Sequence, residues 1–149
     1  MRFFYLLMVV FVSGCSTVQI PNYINADHPY ARRVYGDLDK VNAAVKLVLA
    51  QEGFKVLKET GTDVYERDAR DQQEGAQGVL VLTEVREYSR VLYSTYVHLN
   101  IYLRQLADGV EVELRYGKVT SVLFKQFKGT RNDAYAVRLL DRIEAQVNQ

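Results

Sequence analysis

The chain has 149 residues, 48% of them hydrophobic, 25% charged and 11% aromatic, a globular composition that excludes a disordered, collagenous or multi-span membrane protein. Nineteen basic residues against 18 acidic ones leave no net basic field to hold nucleic acid by its phosphates. A single cysteine excludes an internal disulfide framework and any multi-cysteine zinc or iron–sulfur site, and the length suits one domain rather than two.

At the N-terminus one positive charge, Arg2, precedes ten apolar residues (3–12), followed by Ser13-Gly14-Cys15. That is the order of a secretory signal. Ten residues span about 15 Å as a helix, half of a bilayer core, too little for a transmembrane anchor. The run Val12-Ser13-Gly14-Cys15 resembles the lipobox of bacterial lipoproteins: an aliphatic residue, two small ones, then Cys. The resemblance implies cleavage between Gly14 and Cys15, diacylation of the Cys15 sulfur and acylation of its new amino group. Ser16, rather than Asp, follows the cysteine, which in Gram-negative lipoproteins implies export to the outer membrane, facing the periplasm. At about 0.8 kcal/mol per buried methylene, three acyl chains would hold the protein essentially permanently. Loss of residues 1–14 removes Arg2 and leaves 18 basic against 18 acidic residues, so the expected anchor is lipid and not a polybasic patch.

Residues 16–36 carry both prolines, Pro21 and Pro29, and no sustained period of 2 or 3.6. They read as a tether, with an r.m.s. reach of roughly 25 Å if flexible. Tyr23, Tyr30 and Tyr35 offer an alternative, in which residues 30–35 pack on the domain as an extended strap. The expected organisation is a signal peptide over 1–14, a lipidated Cys15 with tether over 15–36, and a single domain over 37–149.

Residues 37–52 read as a helix, with Leu38, Val41, Ala44, Val45, Val48 and Leu49 on one stripe. Asp37 or Asp39 can cap it, and Gly53 stops it. Strands are expected at 54–58 and 63–67, around a turn at 59–62. Residues 68–78 are a polar loop, and 79–86 a strand with a doubly buried start. Ser89-Arg90 reads as a turn. Residues 91–104 alternate cleanly: Val97, Leu99, Ile101 and Leu103 share one face, and Tyr96, His98, Asn100, Tyr102 and Arg104 the other. Ala107-Asp108-Gly109 signals a hairpin into 110–116, and Gly117 breaks the phase. Residues 119–127 either extend the sheet or cross its edge. Thr130 to Asp133 reads as a capping box before a helix reaching about residue 147, striped by Ala136, Leu139, Leu140, Ile143 and Val147.

This order predicts an α+β fold, a two-layer sandwich in which an antiparallel four- or five-stranded sheet packs against an N-terminal and a C-terminal helix. The helix-to-strand step Gly53-Phe54-Lys55-Val56 resembles that of the helix-grip-like domains of outer-membrane assembly accessory lipoproteins. The likeness covers about thirty residues and implies an architecture only.

Chemistry is sparse. Outside the tether His98 is the only histidine, and no Gly-x-Ser-x-Gly, His-x-x-x-His or second histidine accompanies it. A satisfied sheet residue is therefore expected over a general base or metal ligand. The acidic run from Asp63 to Glu74 lacks the spacing of a calcium loop. Glu111 and Glu113 suit cross-strand pairing with Arg104 or Arg90. No catalytic residue, metal site or cofactor is expected. The face formed by Tyr96, His98, Asn100, Tyr102 and Arg104, with Tyr88 joining it in one register, is the candidate binding face. The alternative is that the tether covers it. The expected function is a membrane-anchored envelope lipoprotein, held by lipid on Cys15. It acts as a non-catalytic binding or accessory module for an envelope protein, with no nucleic-acid partner. A carrier of a lipid or apolar ligand and a small envelope hydrolase are the alternatives.

Overall fold

The computed structural model describes residues 18, 20–61, 78–122 and 125–149. The signal and lipobox, the strand expected at 63–67 and the acidic run to Glu74 lie outside these residues. The elements are β1 (Tyr30–Val34), α1 (Leu38–Gln51), β2 (Val56–Gly61), β3 (Gly78–Thr83), β4 (Arg86–Arg90), β5 (Tyr93–Leu106), β6 (Gly109–Val122), β7 (Lys125–Gly129) and α2 (Asp133–Val147). The fold is α+β; the described residues form seven antiparallel strands, rather than the four or five expected, and two helices.

The sheet is built on one long hairpin. β5 and β6 pair without interruption from Tyr93↔Val122 to Leu106↔Gly109. Gly117 therefore does not break the phase; it sits opposite His98. Each half of this hairpin has its own neighbours. Around residues 100–104 and 110–114 the order is β1-β6-β5-β3-β2. Around residues 93–97 and 118–122, β4 and β7 take the outer places. The second block is a four-stranded wing, β4-β5-β6-β7.

Three segments account for the extra strands. Tyr30–Val34, within the expected tether, pairs with β6 at Leu114–Val110. Its Arg32 pairs with Asp141 and with Glu144 (3.2 Å) on α2, and its Tyr30 hydroxyl donates to Asp133. Residues 86–90 are strand throughout, so the turn falls at Val91-Leu92 and not at Ser89-Arg90. Residues 119–127, left open by sequence, supply the end of β6 and the start of β7.

Both helices bury their apolar stripes on one face of the sheet. Val41, Ala44, Val45, Val48 and Leu49 of α1 and Ala136, Leu139, Leu140, Ile143 and Val147 of α2 meet Val97, Leu99, Ile101, Leu103, Val110, Val112 and Leu114 in one core. Asp37 caps α1, accepting from the Lys40 amide at 2.7 Å. Asn132, not Thr130, caps α2, accepting from the Tyr135 amide at 3.3 Å. Gly53 adopts φ +77° after α1, the left-handed turn that glycine allows at little cost.

Between β3 and β4 the edge carries a bulge. Leu82 faces Asn100 and Arg86 faces Val97, so three residues, Thr83 to Val85, oppose two on β5. The Thr83 hydroxyl accepts the Leu99 amide at 2.8 Å across this gap. One extra residue inverts the side-chain alternation. Leu80 and Leu82 thus share a face with Asn100 and Tyr102, whereas Arg86, Tyr88 and Arg90 share the opposite face with Val97, Thr95 and Tyr93.

Candidate functional site

The face expected to bind a partner is formed by alternate residues of β5. His98, Asn100 and Tyr102 are buried there, while Tyr96 and Arg104 are half-buried. Tyr88 does not join them, because the bulge turns it to the helix side. What covers the face is the chain itself. Asn100 Oδ1 accepts the Ile24 amide at 2.6 Å, and Asn100 Nδ2 donates to the Asn22 carbonyl at 3.0 Å. This carboxamide acts as a surrogate strand neighbour for a segment that has no ladder of its own. Arg115, opposite Asn100 on β6, donates to the Tyr23 hydroxyl, and its guanidinium lies 5.4 Å from the Tyr23 ring centroid. Arg115 also pairs with Glu113 at 2.6 Å. Tyr23 then packs on the small cluster of Leu80, Leu82 and Tyr102. Residues 22–24 are thus a docked strap on the face away from the helices.

His98 lies beneath this strap. Neither ring nitrogen has a hydrogen-bond partner of good geometry. Burial holds its pKa below the ordinary imidazole value, and the Pro21 carbonyl offsets this only in part. The ring occupies the space that a side chain on Gly117 would need, since a Cβ there would meet His98 Cε1 at 2.5 Å. Enclosure in this way favours the neutral imidazole. At the far end of the row Arg104 pairs with Glu111, its register partner, as an ordinary cross-strand ion pair. Among the described residues no group of three or more His, Cys, Asp and Glu could hold a metal ion.

Among the described residues the wing keeps an open surface on the face that also carries the helices. Its outermost rung across four strands is Arg90, Tyr93, Val122 and Lys125. The next rung is Tyr88, Thr95, Thr120 and Phe127, and the third is Arg86, Val97, Lys118 and Gly129. Phe127 is 56% exposed, Tyr88 45% and Tyr93 40%. No acidic residue belongs to these rungs, which carry Arg86, Arg90, Lys118 and Lys125. Arg86 fixes the wing to the body. It donates to the Glu52 carbonyl at the C-terminal end of α1 and lies 5.0 Å from both the Phe54 and the Tyr88 ring centroids. Behind it Tyr135 packs on Tyr116, 5.9 Å between centroids. Burial pushes the Tyr135 hydroxyl up to about 12, with Glu52 adding to the shift.

Sequence reasoning missed this surface because its aromatics come from three strands: the facing of Tyr88 depends on the bulge, and Phe127 lies in a stretch, 119–127, whose place in the sheet was open. The usable signal was the run Tyr88 to Tyr93, in which two tyrosines and Arg90 flank the apolar pair Val91-Leu92. No protein-family model matches the chain, and no curated protein matches it.

Proposed function

We propose that this protein is a lipid-anchored module of the bacterial envelope, held by acylated Cys15 at the periplasmic face of the outer membrane. Its role is non-catalytic: it engages another envelope component, in the manner of an accessory protein. The observation that carries the reading is the uncovered wing, with Tyr88, Tyr93 and Phe127 all exposed on one face. Rigid, amphipathic aromatics of this kind dominate protein contact surfaces. The middle of the Tyr96-to-Arg104 row, His98, Asn100 and Tyr102, lies under the strap, so the contact surface is assigned to the wing.

The wing also combines aromatics with cations, as single-stranded nucleic-acid platforms do. A formally neutral mature chain with a secretion signal argues against that partner.

The test is site-specific photo-cross-linking in intact envelopes, with a photoreactive residue at Tyr88, Phe127 or, as a control, Val137 on α2. One reproducible protein adduct is expected from positions 88 and 127 and not from 137. Absence of adducts at 88 and 127, in protein shown to be folded and acylated, would overturn the assignment.

A further inference from the structure

The β4–β5 turn is the most exposed apolar point among the described residues. Val91 is 101% exposed and Leu92 70%. Directly behind this pair lies the rung Arg90–Tyr93–Val122–Lys125: cation, aromatic, aliphatic, cation. We infer that this tip inserts into an anionic lipid surface, with Val91 and Leu92 below the headgroups, Tyr93 at their level and Arg90 and Lys125 against their phosphates. The lipid source is the bilayer that holds the acyl chains, so the inference rests on the anchoring proposed above.

Three observations favour a lipid surface over a protein groove. Two aliphatic residues on a protruding two-residue turn fall far short of the roughly 800 Å² per partner that a stable protein interface needs, whereas a bilayer accepts an insertion of any size. Basic and aromatic side chains flanking an apolar tip are the arrangement that sits well at the headgroup boundary. The three rungs of this face hold four cations and no acid, which complements an anionic surface.

Chain length agrees. Pro21 lies beside His98 and is six residue steps from Cys15, a reach of about 20 Å at most. His98 and Leu92 are also six residues apart along an extended strand, again about 20 Å. With the strap docked, the acylated cysteine and the wing tip can therefore meet one plane. A free tether of twenty-one residues would impose no such relation.

The chain contains no tryptophan, so a single introduced one reports on its own site. The full chain carrying Leu92→Trp, or Val137→Trp as control, is purified from a lipoprotein-processing host and placed in phosphatidylglycerol-rich vesicles with brominated acyl chains. Expected is a blue-shifted emission with loss of intensity for position 92 and neither for position 137. The loss at position 92 should shrink on phosphatidylcholine vesicles and when Arg90→Gln and Lys125→Gln are added. Unquenched emission at position 92, or equal quenching at both positions, overturns the inference. Intact-protein mass reads acylation of Cys15 separately. An unacylated chain would sink the anchoring reading, while the contrast between positions 92 and 137 would still decide the tip. Protein adducts from the tip itself, with no quenching, would assign it to a protein partner instead.

Discussion

Gly117→Ala is the sharpest test of how the strap, His98 and the sheet are coupled. The backbone itself would welcome alanine, because Gly117 lies outside the left-handed region and glycine in a strand is roughly 0.5–1 kcal/mol worse than alanine. The added Cβ, however, would stand 2.5 Å from His98 Cε1, 2.9 Å from His98 Nδ1 and 3.0 Å from Ile24 Cδ1. A flexible side chain would normally swing aside. The imidazole cannot do so freely, since it is only 3% exposed with the strap above it. Overpacking of this kind costs about 1–3 kcal/mol, so the net loss should be about 1–2 kcal/mol. At roughly 4 °C per kcal/mol for a domain of this size, the melting temperature should fall by about 4–8 °C. In a His98→Ala background only the approach to the flexible end of Ile24 remains, and Gly117→Ala should cost far less or be neutral. The assay is a double-mutant cycle by urea denaturation. An equal loss in both backgrounds would refute the proposed contact.

Protonation of His98 should loosen the same region. Its folded pKa is depressed by burial, so the unfolded chain binds the proton first. Stability is then full above about pH 6.5 and declines as pH falls from there toward the lowered folded value. His98→Gln should remove this slope, and identical slopes for both proteins in denaturation midpoints between pH 5 and 7 would contradict it. Asn100→Leu removes both strap hydrogen bonds and strands the Ile24 amide, a cost of about 1–3 kcal/mol. Hydrogen exchange at Ile24 should quicken about ten- to a hundred-fold while the α1 amides keep their protection. Unchanged exchange at Ile24 would mean that other contacts hold the strap. Asp37→Ala deletes the acceptor for the Lys40 amide and should cost about 1 kcal/mol, read as a lowered urea midpoint with unchanged m-value.

Local periodicity carried the helices and the central hairpin. Every position of the expected α2 stripe is buried, and the alternation of β5 assigned its two faces correctly because strict period 2 over fourteen residues admits one register. The remaining strands lack such a pattern, and β1 was legible only as the alternative of an extended strap over 30–35. β1 buries only Val34 and is held by Arg32 and Tyr30 reaching α2, more than a hundred residues away in sequence. The facing of Tyr88 was illegible for a different reason. The parity of a strand can be read from its own residues only up to a bulge, and the Thr83-to-Val85 bulge depends on how β3 and β4 share the edge of β5. The candidate face failed as an open surface because polarity of sheet residues does not say what satisfies them. Asn100 and Arg115 are polar for the strap's sake: they hold backbone groups of a segment too short and too irregular to pair by itself.

The docked strap also changes what the N-terminal segment does. Read as free, residues 16–36 would let the domain wander roughly 25 Å from the membrane in any orientation. Two stretches of that segment are in fact spoken for, residues 22–24 on the face away from the helices and Tyr30–Val34 at the sheet edge. Docking at two points leaves only the residues before the strap to span the distance to Cys15. By seating the strap, Asn100 and Tyr102 would shorten any tether that runs from Cys15 to the sheet. Under the anchoring proposed above, a domain held in this way would present the Val91-Leu92 end of its sheet to the lipid and leave Tyr88 and Phe127 exposed beside it.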